Sequence, residues 1–394
     1  MKNPFHTRAP AFDATAIHET IQRALTSAGL DTASGPMRGV TETIRQALAS
    51  AGLPSAAGHA TARNSIIDVR AQVVDVGDET TPVLMPETPT DDTPVPGRFE
   101  THAFSNQAGS RAYKLYIPAG LAPARPAVVV MLHGCTQSAA DFAAGTQMNR
   151  LADAHGFLVV YPEQAGHANA SKCWNWFKAQ DQARDGGEPS LIAGITREVV
   201  ARHGADPRRV FVAGLSAGAA MAVILGETYP ELYAGVGAHS GLPYGSAHDI
   251  GSAIAAMKGG RSGLAMAAPA AAARRAAVQA VPTIVFHGDR DHTVQSINGA
   301  EIVRQAQEAH RVELADAAWR SSTHRGSSPG GRSYSRTVHA TASGEPQIEF
   351  WTVHGAGHAW SGGSAKGSFT DDAGPDASAE MVRFFLALPL ASVA

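Results

Sequence analysis

"RVFVAGLSAGAAMAVIL", residues 209–225, holds one hydroxyl, Ser216, between Gly214 and Gly218. Ahead of Gly214 the run is β-branched and apolar, the composition of a buried strand. Beyond Gly218 it turns alanine-rich, which reads as a helix. The stretch therefore predicts a strand, a sharp turn at Ser216 and a helix. Gly-x-Ser-x-Gly in that setting has a physical reason. A serine on so tight a turn sits in a strained conformation, and a Cβ on a neighbouring residue would strike the adjoining strand or helix. The turn also lifts the hydroxyl to a helix N-terminus, where free N–H groups favour an oxyanion. The plainer alternative is a serine in a small-residue turn where helix meets sheet.

The same alternation extends outward. "PAVVVML" and "FLVVY" are unbroken apolar runs, as in strands buried on both faces. Residues 138–155 between them have helical character, and "PSLIAGITREVVARHG" reads as a helix stopped by Gly204. Further elements follow as strand 209–213, helix 217–228, strands 234–239 and 282–287, helix 296–310, strand 347–353 and a final helix near 376–387. Strands alternating with helices predict a mostly parallel sheet covered on both faces. "FETHAFS" and "RAYKLYI" alternate like an antiparallel pair, expected at one edge. Residues 241–280 form an alanine-rich insertion that could cap the site, and 318–345 read as a long polar loop or hairpin.

The N-terminal part has another texture. "HETIQRALTSAGL" (18–30) and "TETIRQALASAGL" (41–53) match at nine of thirteen positions, so residues 1–53 are expected to carry two duplicated amphipathic helices. They are either a hairpin packed on the main domain, a weakly ordered tail, or a docking element for a partner or hydrophobic granule. Residues 54–98 read as a linker, since "TPVLMPETPTDDTPVPG" holds five prolines. The catalytic domain is expected over 99–394.

Bulk properties exclude several classes. A net charge of −3 gives no electrostatic case for nucleic acid or an anionic membrane. No apolar run is long enough to span a bilayer. The N-terminus lacks a secretory signal, which predicts a cytoplasmic protein. The two cysteines, Cys135 and Cys173, are either two buried thiols or one bridge.

A serine nucleophile needs a base, and the base needs an orienting carboxylate. "VPTIVFHGDRDHTV" is a strand entering a polar loop with Asp289 and Asp291, and the H-G-x-x-D spacing favours Asp291. "IEFWTVHGAGHAWSGG" is another strand, followed by a Gly-rich loop with His354 and His358. His358 lies deeper in that loop among small residues that permit close approach, whereas His354 at the strand end reads as structural. The oxyanion donors are placed at the backbone N–H of Ala217, after the serine, and of Cys135, after the strand ending "LHGC". Cys135 as nucleophile is a rival without motif support. His354 and His358 flank glycines, not a helix, so no metal is expected. No G-x-G-x-x-G follows the first buried strand, so no dinucleotide cofactor is expected.

Together "LHGCTQ", "KCWNWF", "GEPSLI", "VFVAGLSAGAAM", "HGDRD" and "GAGHAWSGG" resemble the poly(3-hydroxybutyrate) depolymerase family of esterases over roughly residues 100–390. That resemblance implies an α/β-hydrolase fold, with feruloyl and acetylxylan esterases as relatives. It implies Ser216 as nucleophile, Asp291 as orienting acid and His358 as base. It implies a Cys135–Cys173 disulfide tying the oxyanion loop to the "KCWNWF" loop, and hence a secreted alternative to the cytoplasmic expectation. Trp174, Trp176 and Phe177 beside such a site are either a substrate platform or core packing. The expected activity is a serine carboxylesterase acting on poly(3-hydroxybutyrate) or its oligomers. The alternatives are a feruloyl or acetylxylan esterase and, in another class, a non-catalytic granule-associated protein.

Overall fold

The structure, a computed structural model, describes residues 97–121, 125–260, 280–313 and 319–390. The expected duplicated helices, the linker as far as residue 96 and residues 261–279 of the cap insertion lie outside the described residues.

Ten strands form one sheet in the order β1-β2-β4-β3-β5-β6-β7-β10-β9-β8. β1 (Arg98–Asn106) and β2 (Gly109–Ile117) make the antiparallel pair at one edge. The central strands β4 (Leu158–Pro162), β3 (Val128–Leu132), β5 (Val210–Leu215), β6 (Gly235–His239), β7 (Thr283–Gly288) and β10 (Pro346–Val353) run parallel. β3 to β7 are buried at every position, because helices cover both faces. Residues 319–345 are a hairpin, β8 (Arg320–Ser327) and β9 (Ser333–Ala340), laid antiparallel beside β10.

The chain leaves β3 for β4 on one side, then crosses to β5 on the other. Such a reversal opens a crevice at the carboxyl ends of the strands. The β3–β5 crevice is where Ser216 emerges, next to the loop after β3.

Residues 138–155, expected to have helical character, form two helices, α1 (Ala139–Thr146) and α2 (Met148–His155). Gln147 between them takes a left-handed conformation at φ 54°, which breaks the continuous helical path. The Ser138 side chain caps α1 by accepting from the Asp141 N–H at 3.1 Å. α3 (Gly187–His203) ends at left-handed Gly204. α4 (Ala217–Thr228) is buried along nearly its whole length, and its small residues let it lie close on β5 and β6. α5 (Ile250–Met257) is the described part of the cap insertion. α6 (Ile297–Glu313) and α7 (Ala377–Ala387) follow among the described residues. Residues of α3, α4, α5 and α6 share one apolar cluster, whereas α1, α2 and α7 share another. The sheet lies between them. Among the described residues no helix is long and apolar enough to cross a membrane.

Candidate active site

Ser216 stands at the end of β5 with φ 57° and ψ −119°, a backbone region a side-chain-bearing residue enters only under constraint. The two glycines are required by space. A Cβ on Gly214 would meet the backbone of Gly218 and Leu132, and one on Gly218 would meet the carbonyl oxygens of Leu132 and His133. The strained turn is fixed below by the Ser216 N–H, which donates to the His239 carbonyl at 2.9 Å. Ser216 is half-buried, beside the first turn of α4.

Asp291 and His358 meet across the tops of β7 and β10, with His358 Nδ1 2.7 Å from Asp291 Oδ2. Asp291 is buried and accepts the Thr293 and Val294 N–H groups on Oδ1, at 2.9 and 2.8 Å. Burial alone would raise its pKa. Hydrogen bonding to His287 and His358 outweighs burial and holds the carboxyl well below the usual carboxylate range. With Asp291 ionised, His358 presents Nδ1–H to it, and in the neutral imidazole Nε2 is then an acceptor. Among the described residues no hydrogen bond joins Ser216 Oγ to His358, a contact that in such sites tightens when substrate binds.

Asp289, two residues earlier, faces elsewhere. Its Oδ2 lies 2.9 Å from His354 Nδ1, and its Oδ1 accepts the Gly355 N–H at 2.7 Å. The two aspartates and two histidines thus form separate pairs. Asp289 and His354 fasten the loop after β7 to the loop after β10, the loops that carry Asp291 and His358.

Cys135 and Cys173 form a disulfide. The bridge removes Cys135 as a candidate nucleophile and pins the loop after β3. Other contacts fix the same loop. The Thr136 N–H donates to the Ser171 carbonyl at 2.7 Å, and the Gly134 N–H to Gln137 Oε1 at 2.9 Å. Trp174 is fully buried, and its indole N–H donates to the His133 carbonyl at 3.1 Å. Trp174 therefore packs under the loop instead of lining an open surface. Trp176 is also buried, edge-on to the half-buried Phe177. The Cys135 and Ala217 N–H groups have no hydrogen-bond partner among the described residues.

Two buried groups carry the site without standing out in the sequence. His239, at the end of β6, stacks against Phe286 and Trp360 and accepts the Ser361 N–H on Nε2 at 3.0 Å. Its own carbonyl holds Ser216, so it joins the His358 loop to the Ser216 turn. Burial, reinforced by the neighbouring His287 and His358, pushes its pKa down to about 3, so it is a neutral acceptor. Glu188 opens α3 inside the protein. It accepts from Asn175 N–H and Nδ2 at 2.7 Å each, Gln164 Nε2 at 2.5 Å and Arg111 at 3.2 Å. This anchors the loop that bears Cys173 and Trp174. "GEPSLI" was the only sequence signal for Glu188, and His239 had none.

The family described as Esterase PHB depolymerase matches residues 111–335. The chain belongs to this family. Poly(3-hydroxyalkanoate) depolymerase C of Paucimonas lemoignei is 34% identical over 258 residues, 65% of this chain and 60% of that protein. The chain thus spans about three fifths of that relative's length. Feruloyl esterase B of Neurospora crassa is 36% identical over 141 residues, 36% of this chain and 47% of that protein. Probable acetylxylan esterase A of Aspergillus fumigatus is 34% identical over 146 residues, 37% of this chain and 38% of that protein. Among solved structures, the acetyl xylan esterase from Aspergillus awamori superposes with a TM-score of 0.58 at 20% identity. That match covers 74% of this chain and all of the other, and it shows a shared fold. The fold of this PHB depolymerase family member is the α/β-hydrolase fold.

Proposed function

We propose that the protein is a serine carboxylesterase whose nucleophile is Ser216, base His358 and orienting acid Asp291. The observation that carries this reading is the left-handed backbone of Ser216, held on a turn that only glycine neighbours permit, in a chain that also pairs the buried Asp291 with the partly buried His358. Ser216 Oγ attacks the ester carbonyl while its proton passes to His358 Nε2. The Ala217 and Cys135 N–H groups receive the oxyanion, and their lack of other partners supports that role. His358 then protonates the departing alcohol. Water, deprotonated by His358, repeats the attack on the acyl-enzyme and frees the acid.

Within this class the substrate proposed is poly(3-hydroxybutyrate) or its oligomers, supported by the long match to a poly(3-hydroxyalkanoate) depolymerase. The disulfide favours an oxidising compartment, and with it the secreted alternative. The docking role considered for residues 1–53 lies outside the described residues.

Side-by-side hydrolysis of 3-hydroxybutyrate oligomers, amorphous poly(3-hydroxybutyrate), methyl ferulate and p-nitrophenyl acetate tests both levels, with Ser216→Ala as the blank. Highest kcat/KM on the hydroxybutyrate esters is expected. Preference for ferulate or acetate overturns the substrate, and activity surviving in Ser216→Ala overturns the nucleophile.

A further inference from the structure

A second serine–histidine–aspartate array lies outside the site described above. Ser335 Oγ on β9 is 2.9 Å from His354 Nε2, and His354 Nδ1 is 2.9 Å from Asp289 Oδ2. An ionised carboxylate only accepts, so His354 Nδ1 carries the hydrogen. In the neutral imidazole Nε2 is then an acceptor, to which the Ser335 hydroxyl donates. The Gly355 N–H on Asp289 Oδ1 holds the carboxylate in this orientation. The array is open to solvent, with the His354 and Asp289 side chains 41% and 38% exposed. Arg325 is paired directly opposite Ser335 across the β8–β9 ladder, so the two side chains share one face of the sheet. A cation is therefore available beside any oxyanion formed on Ser335. Among the described residues Arg325 has no ion pair or side-chain hydrogen bond that would hold it away.

We propose that Ser335 is a second, weaker acyl-accepting serine, activated by His354 and Asp289, that reacts with solvent-borne activated esters and organophosphorus reagents. Its Oγ bonds to the electrophilic carbon or phosphorus as the bond to the leaving group breaks. The Ser335 proton passes to His354 Nε2 and leaves with the departing aryl oxide, or to solvent when fluoride departs. Ser335 sits within a strand, without the paired amide donors and helix N-terminus that Ser216 has. Loss of one such donor alone slows turnover by about 10²–10³-fold, so reaction at Ser335 is slower than at Ser216 by at least that order.

The proposal is independent of the role given to Ser216, and its test keeps the two apart. The full chain carrying Ser216→Ala is treated with an alkyl fluorophosphonate, and the modified peptide is located by mass spectrometry. Modification at Ser335 is expected. It should disappear in Ser216→Ala/Ser335→Ala and slow by about tenfold or more in Ser216→Ala/Asp289→Asn, where the carboxylate no longer fixes the imidazole tautomer. Unmodified Ser335 in the Ser216→Ala protein overturns the proposal, provided its circular dichroism matches the unmutated chain. Modification at an unchanged rate in the Asp289→Asn variant overturns it too, since Ser335 would then be an ordinary hydroxyl. Labelling of Ser216 in the unmutated chain reports on the main site alone.

Discussion

Ser216 keeps an unfavourable backbone geometry because three neighbours leave it no alternative: the strand beneath it, the helix beyond it and the His239 carbonyl that takes its N–H. The glycine at 218 is the most constrained of these. Gly218→Ala places a methyl group against the Leu132 and His133 carbonyls, which are backbone and cannot swing aside. A loss of kcat/KM of about 100-fold is expected from a displacement of the order of 1 Å, with about 1–3 kcal/mol of overpacking. Ester turnover and urea denaturation check the two effects. His239 is the other residue whose chemistry can be tested alone. Its pKa is about 3 in the folded chain against about 6.5 when unfolded. Between those values the unfolded chain binds the extra proton, so stability falls as pH drops from about 6.5 towards 3, by about 1.4 kcal/mol per pH unit. His310, lowered to about 4 by burial, adds a smaller contribution of the same sign. His239→Gln is expected to flatten the fall in Tm between pH 6.5 and 4, and an unchanged slope would show that His239 does not titrate this way. The positions of Ser216, Asp291 and His358 after strand ends could be read from the sequence because each follows an apolar strand at a recognisable spacing. The role of His239 could not, because it depends on Ser361 and Trp360, more than a hundred residues away.

At the scale of elements, the loops after β3, β7 and β10 are held by polar groups as much as by packing. Glu188, at the start of α3, holds Arg111 of β2 and the 164–175 loop at once. Burial raises its pKa, and the hydrogen bonds from Gln164 and Asn175 counter the rise. Glu188→Gln leaves the buried Arg111 without its ion-pair partner, which is expected to cost about 3–5 kcal/mol in urea unfolding. Strand and helix positions were legible because uninterrupted apolar runs and helical periodicity are local properties. The break at Gln147 was not, since the residue that breaks the path is itself neither glycine nor proline, and Gly145 before it stays within α1. The Asp291–His358 pairing was expected, whereas the Asp289–His354 pairing was not, because residues two apart in a loop can face different neighbours.

For the whole molecule, the compact unit Pro94–Ala394 contains every residue assigned a catalytic role. A chain beginning at Pro94 is expected to hydrolyse p-nitrophenyl butyrate with unchanged kcat/KM. A loss of that activity would show that the N-terminal segment contributes to the site. Any contribution of that segment to substrate recognition would appear instead as weaker turnover of insoluble polymer alone. The disulfide has a further consequence, topological in kind. Cys135 and Cys173 close a covalent ring through which α1, α2 and β4 are strung. A protease that cuts once inside the ring produces two polypeptides that still migrate as one molecule until a reductant separates them. A nicked chain of this kind can therefore retain the loop after β3, with the cut end tethered to the fold by sulfur instead of by its own backbone.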